Sequence, residues 1–150
     1  MTTSTLPMRR PPIFVDTAYF VALLNRRDAL HTRARMLAST WATRGVDLVT
    51  TDGVLIELGN FFARSSLRSL AATTIHKIRN TPGWTVDRIS VDLLDRAEAR
   101  YRAHPDKGWS LTDCLNMEAM LDHGATDVAT PDHHFTQAGF HTLMSAPDVA

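Results

Sequence analysis

The sequence is short of several things, and each shortage excludes a class of protein. Its 150 residues include one cysteine, Cys114. No intrachain disulfide can form and no Cys-x-x-Cys metal pair exists, which suits a reducing cytosol. No apolar run approaches the ~20 residues a membrane-spanning helix needs, so we expect a cytoplasmic protein with no membrane partner. Net charge is lacking too: 16 Lys+Arg against 16 Asp+Glu leaves +0, and bulk electrostatics do not announce a nucleic-acid partner. Lysine is scarce, with only Lys77 and Lys107 beside fourteen arginines, and glutamate is confined to Glu57, Glu98 and Glu118.

What is present is an ordinary globular composition, 44% apolar and 21% charged. A chain of this length fits one domain and can bury a core without a disulfide or structural metal. Residues 1–12 (MTTSTLPMRRPP) carry two arginines but no apolar centre. They read as a flexible leader, not a signal peptide, and residues 13–150 as a single domain.

Short β-prone runs at 13–15, 47–51, 84–91, 127–130 and 141–144 predict five strands. Between them, helical patterns cover 18–24, 32–43 (stopped by Gly45), 52–64 (with Asp52 as its cap), 67–78, 92–104 and 110–124, and Pro131 opens a short helical turn. Strands alternating with helices imply crossover connections, hence a three-layer α/β fold with a mainly parallel sheet. In such sheets functional groups gather beyond the carboxyl ends of the strands, near the point where strand order reverses.

Four acids merit attention in that light. Asp16 directly follows the first strand, and Asp132 follows the fourth by two residues. Each is also a good helix cap. Glu57 lies within Val54-Leu55-Ile56-Glu57-Leu58, where its helical neighbours are apolar or neutral. A carboxylate buried there would need a partner or a metal. Asp113 has capping-box spacing to Ser110, yet a carboxylate in a helix's first turn can also overhang a strand-end crevice. Four carboxylates drawn together repel one another unless a cation neutralises them. An all-oxygen set favours Mg²⁺ or Mn²⁺ over zinc, and such ions serve phosphodiester hydrolysis. His133 and His134 adjoin Asp132, but neighbouring residues diverge on a helix or strand and promise a poor zinc pair. We retain His133 as a group beyond the ligands.

At these residues the chain resembles the PIN-domain family, especially its VapC-like bacterial toxins. The resemblance rests on Phe14-Val15-Asp16-Thr17, on Thr50-Thr51-Asp52-Gly53-Val54-Leu55-Ile56-Glu57, on Asp106-Lys107-Gly108-Trp109-Ser110-Leu111-Thr112-Asp113-Cys114, and on Thr130-Pro131-Asp132-His133-His134-Phe135 followed by Gly139-Phe140. It implies a five-stranded parallel sheet ordered 3-2-1-4-5 and places Asp16, Glu57, Asp113 and Asp132 on the family's metal-binding acidic positions. Ser110, Thr130 and Asp106 would then support those carboxylates from behind. Also implied are Mg²⁺- or Mn²⁺-dependent cleavage of RNA, a homodimer, and a small antitoxin encoded beside the toxin. RNA beside four acids needs positive charge nearby, and Arg64, Arg68 and Lys107 are the candidates for phosphate contact. Trp109 and Phe135 suit either base stacking or the core, with the core favoured.

Other readings fit less well. A haloacid dehalogenase-type phosphotransferase would want a second aspartate two residues after Asp16, where Ala18 stands. A receiver-like domain would want a late lysine, and none follows Lys107. A housekeeping PIN nuclease without an antitoxin, or a non-cutting PIN-like binding module, remains as an alternative.

Overall fold

The computed structural model describes residues 8–145; residues 1–7 of the expected leader, and residues 146–150, lie outside them. Five strands form one sheet: β1 (Ile13–Val15), β2 (Leu48–Thr51), β3 (Trp84–Asp87), β4 (Asp127–Ala129) and β5 (His141–Thr142). All neighbours are parallel and the order is β3-β2-β1-β4-β5. Parallel pairing requires a crossover between successive strands. Helices α1 (Thr17–Leu24) and α2 (His31–Arg44) supply the first, α3 (Asp52–Phe61) and α4 (Arg68–Asn80) the second. Helices α5 (Val91–Ala103) and α6 (Leu111–His123) lead into β4, and α7 (His133–Gln137) joins β4 to β5. The α/β architecture and strand order expected from the sequence are the ones observed.

The central strands are apolar on both faces, as a sheet covered by helices on each side demands. Phe14, Val15, Val49, Val128 and Ala129 are buried, beneath Phe20, Val54, Leu58, Met117, Met120 and Phe135 from the helices. None of the described helices is long and apolar enough to cross a membrane. Residues 8–12 run without regular structure at the amino ends of the strands. There Arg9, Arg10, Pro11 and Pro12 join Asp47 in lining two cavities, away from the acids.

Several boundaries differ from expectation, among them the end of α3 at Phe61 instead of 64 and the end of β5 at Thr142 instead of 144. The third strand stops at Asp87 because Ser90 turns the chain into α5, its side chain accepting the Leu93 amide at 3.0 Å. The cap of α3 is Thr51, not Asp52: Thr51 Oγ1 accepts the Val54 amide at 3.2 Å, and Asp52 occupies the first helical position. Thr51 is both the last strand residue and the cap, so β2 passes into α3 with no loop between them.

Sheet order fixes where chemistry can gather. From β1 the chain crosses first to β2 and β3, then returns to the other side of β1 as β4. The reversal point lies between β1 and β4. Val15 is in register with Ala129, so the next residues, Asp16 and Thr130, leave the sheet side by side.

Candidate active site

Asp16 stands at the cap position of α1, but its side chain makes no capping bond. It turns instead toward β4, where Thr130 Oγ1 donates to Asp16 Oδ2 at 2.9 Å. The carboxyl is only 8% exposed. Burial is the main force raising its pKa to about 6, opposed by the Thr17 amide and Thr130 hydroxyl and assisted by the charges of Asp113 and Asp132.

Asp132 caps α7 and Asp113 closes the capping box of α6, and both belong to the cluster. Ser110 Oγ accepts the Asp113 amide at 2.9 Å, and Asp113 Oδ2 accepts the Ser110 amide at 3.0 Å, a complete capping box. The hydroxyl of Ser110 therefore fixes the helix start, while its amide orients the carboxylate. Asp132 caps α7, with Oδ1 accepting the His134 amide at 2.9 Å. Its own amide donates to Thr130 Oγ1 at 3.2 Å, so one threonine hydroxyl ties Asp132 to Asp16.

Glu57 corrects an expectation. The apolar residues around it in sequence suggest burial, yet the side chain is exposed. Helix α3 buries Gly53, Val54, Leu55 and Leu58, and Glu57 falls beside that stripe together with exposed Ile56 and Asn60. At this rim it remains close enough to Asp16 and Asp113 to feel both charges. Partial desolvation, then Asp16 and Asp113, raise its pKa to about 7, with the Thr17 hydroxyl pulling the other way. The structure thus gathers Asp16, Glu57, Asp113 and Asp132 from β1, α3, α6 and the β4–α7 connection into one electrostatically coupled group.

This group has the chemistry of a cation site. Among the described residues no hydrogen bond reaches Asp113 Oδ1 or Asp132 Oδ2, so these two acids each keep an uncommitted oxygen. Thr17 Oγ1 is buried beside Glu57, whose pKa it pulls down. The donors are hard oxygens, as Mg²⁺ and Mn²⁺ prefer.

Two framework contacts hold the crevice and were not foreseen. Thr51 Oγ1 donates to Asn116 Oδ1 at 2.8 Å, a buried bond between residues 65 apart in sequence. It links the start of α3 to α6, the helices that carry Glu57 and Asp113. Beside it, Gly53 lets the helices approach: a Cβ there would stand 2.8 Å from Leu115 Cδ2 and 3.3 Å from Thr51 Oγ1. The sequence signal was a glycine immediately after the β2–α3 junction.

The histidine assignment needs correction. His134, not His133, reaches the acids, its Nδ1 lying 3.2 Å from Asp113 Oδ2 and 3.4 Å from Asp132 Oδ1. His133 is exposed, with Nδ1 3.8 Å from Asp132 Oδ1. Neighbours at the start of a helix do not oppose one another, and here both rings fold back toward the cap residue, with centroids 4.7 Å apart. The expectation that they diverge does not hold.

The remaining candidates divide. Thr130 donates to Asp16, whereas Asp106 is exposed and has Lys107 as its partner at 3.7 Å, with no bond to the acids. Arg68 Nη1 donates to the Ala63 carbonyl at 2.8 Å, and Arg64 is exposed. Trp109 and Phe135 are core residues, the former donating from Nε1 to Gln137 Oε1 at 3.1 Å. Neither offers a face for stacking on a base.

Known proteins show the same arrangement of chain. The PIN domain family model matches residues 13–141. The chain is 30% identical over 128 residues to the 23S rRNA-specific endonuclease VapC20 of Mycobacterium tuberculosis, spanning 85% of this chain and 95% of that protein. The crystal structure of VapC20, described as a sarcin-ricin loop cleaving toxin, matches with a TM-score of 0.75 at 29% identity, over 85% of this chain and 95% of the other. FitAcB from Neisseria gonorrhoeae shares the fold at a TM-score of 0.61 and 14% identity, covering 87% of this chain and 95% of its own. VapBC2 from Rickettsia felis, solved with a DNA fragment from its promoter, does so at 0.62 and 13%, covering 87% and 96%. The chain belongs to the PIN-domain family, as a homologue of the VapC endonucleases.

Proposed function

We propose that this chain is an endoribonuclease that hydrolyses RNA phosphodiester bonds at Asp16, Glu57, Asp113 and Asp132, with these four acids holding Mg²⁺ or Mn²⁺. VapC nucleases of the family are metal-dependent. The observation that carries the reading is the convergence of four carboxylates that feel one another's charge at the switch point of the sheet. When bound, the ion would neutralise the acids, activate a water and stabilise charge on the phosphate. The protein's part is orientation: Thr130 holds Asp16, the Ser110 amide holds Asp113, and the His134 amide holds Asp132. Of the basic candidates, Arg64 is the most available for a phosphate, since Arg68 and Lys107 already have partners.

A cytoplasmic toxin restrained by a small antitoxin, acting as a homodimer and built as one domain over 13–150, is the reading we adopt for its cellular role. The VapC relatives support it. So does a groove lined by Leu24, Phe61, Leu67 and Leu70, which offers apolar surface to a partner chain. Large-subunit rRNA is the first substrate to try, because the 30% identical relative is named 23S rRNA-specific.

Purified, antitoxin-free protein would be incubated with labelled ribosomal RNA and Mg²⁺ or Mn²⁺, beside EDTA controls and Asp16→Asn. Cleavage is expected to vanish with EDTA and to fall by roughly a hundredfold or more in the variant, as loss of a ligand implies. Folded, metal-loaded wild type that left every RNA in a broad panel intact would replace this reading with a binding role. Equal cleavage by Asp16→Asn would remove Asp16 from the site.

A further inference from the structure

We propose that Asp132, His133 and His134 form a second metal site, one with nitrogen donors that takes a transition ion of the zinc class. It goes beyond the nuclease reading, because the proposed Mg²⁺ or Mn²⁺ cluster uses oxygen alone. The ligating atoms of these three side chains all lie within 4.8 Å of one another. Two ligands bonded to one tetrahedral zinc at ~2.1 Å stand about 3.4 Å apart. His134 Nδ1 and Asp132 Oδ1 are separated by 3.4 Å, and His133 Nδ1 lies 3.8 Å from the same oxygen. Asp113 Oδ2, 3.2 Å from His134 Nδ1, is placed to serve as a fourth ligand. These are the spacings of neighbours in one coordination sphere, brought about by the cap of α7: the Asp132 carboxylate fixes the His134 amide, and both rings fold back over it.

The donor set decides the class of ion. Imidazole suits zinc and its neighbours, whereas Mg²⁺ prefers oxygen and water. Binding needs the His134 tautomer with its proton on Nε2, so that Nδ1 offers a lone pair. The His133 side chain is 76% exposed, so no packing holds its ring away from the set. Because Asp132 belongs to both groups, and Asp113 does too when it serves as the fourth ligand, zinc in this site competes with a hard ion for those carboxylates. Zinc therefore becomes an inhibitor of any chemistry the four acids perform.

The test reads metal binding and does not require RNA cleavage. Metal-free protein is titrated with Co²⁺, whose visible absorption band is intense only in four-coordinate, tetrahedral-like sites and weak in six-coordinate oxygen sites, and the bound Co²⁺ is displaced by Zn²⁺. Wild type should show the band and lose it to Zn²⁺. His134→Ala should abolish it, and His133→Ala should weaken Zn²⁺ binding by roughly tenfold or more. Asp16→Asn, which strikes the proposed oxygen cluster, should keep the band, and this separates the two sites. An exposed side chain is lost in His133→Ala, so that variant stays folded and the test stays decisive should His134→Ala unfold. The proposal is overturned if wild type shows no band, or if Co²⁺ and Zn²⁺ bind both histidine variants as they bind wild type.

Discussion

A carboxylate can cap a helix and remain available to a metal, because its two oxygens offer about four acceptor positions. Asp113 and Asp132 spend one oxygen on a cap and keep the other, whereas Asp16 leaves its helix uncapped and takes a hydrogen bond from Thr130. Thr130 thereby becomes the residue on which Asp16 and Asp132 both depend. Thr130→Val keeps the shape of the side chain and removes the hydroxyl. We expect it to weaken Mn²⁺ binding by roughly 10–100-fold, while Thr130→Ser stays close to wild type. Calorimetric titration with Mn²⁺ decides this, and equal affinity in the valine variant would deny Thr130 its role. At this scale Asp16 and Asp132 stood out in the sequence by their spacing from strand ends, whereas Glu57 and Asp113 joined them through the family resemblance. The reach of His134 and the exposure of Glu57 were not legible there. Both depend on how short helical segments are rotated against the sheet, which periodicity over a few residues does not determine.

At the scale of elements, the crevice keeps its width through the seam between α3 and α6. Gly53 allows close approach, and the Thr51–Asn116 bond pins the helices about one turn from Asp113 and about two turns from Glu57. Thr51→Val would remove the cap of α3 and strip Asn116 Oδ1 of its donor, beside an Nδ2 that already has no partner among the described residues. A lost cap costs about 1 kcal/mol and an unsatisfied buried acceptor about 1–3 kcal/mol. The variant should therefore be destabilised by roughly 2–4 kcal/mol, with Thr51→Ser recovering most of the loss. Urea unfolding measures it, and a valine variant as stable as wild type would show that the seam rests on packing alone. The strands and helices themselves were largely readable, since apolar runs and glycine or proline stops mark them. The seam was not, because a contact across 65 residues leaves no trace in local pattern.

For the whole molecule, the gathered acids set stability against function. Asp16 titrates at about 6 and Glu57 at about 7, both raised from ordinary values of 3.8 and 4.5. Both bind their protons more tightly in the fold than in the unfolded chain. Their contribution thus favours the fold at low pH and is lost as pH rises through about 6 and about 7. Metal-free protein should melt lower at pH 8 than at pH 5.5, by roughly a few degrees for a chain of this size. A divalent ion binds the charged form and only the folded state, so Mn²⁺ should raise the melting temperature far more at pH 8 than at pH 5.5. Asp16→Asn provides the internal control, because an amide at that position does not ionise. Its melting temperature in EDTA should fall less between the two pH values and respond less to Mn²⁺. Thermal melts of both proteins, with EDTA and with Mn²⁺, make the comparison. If wild type and Asp16→Asn lost stability equally across that interval, the strain would lie in groups outside the acidic crevice.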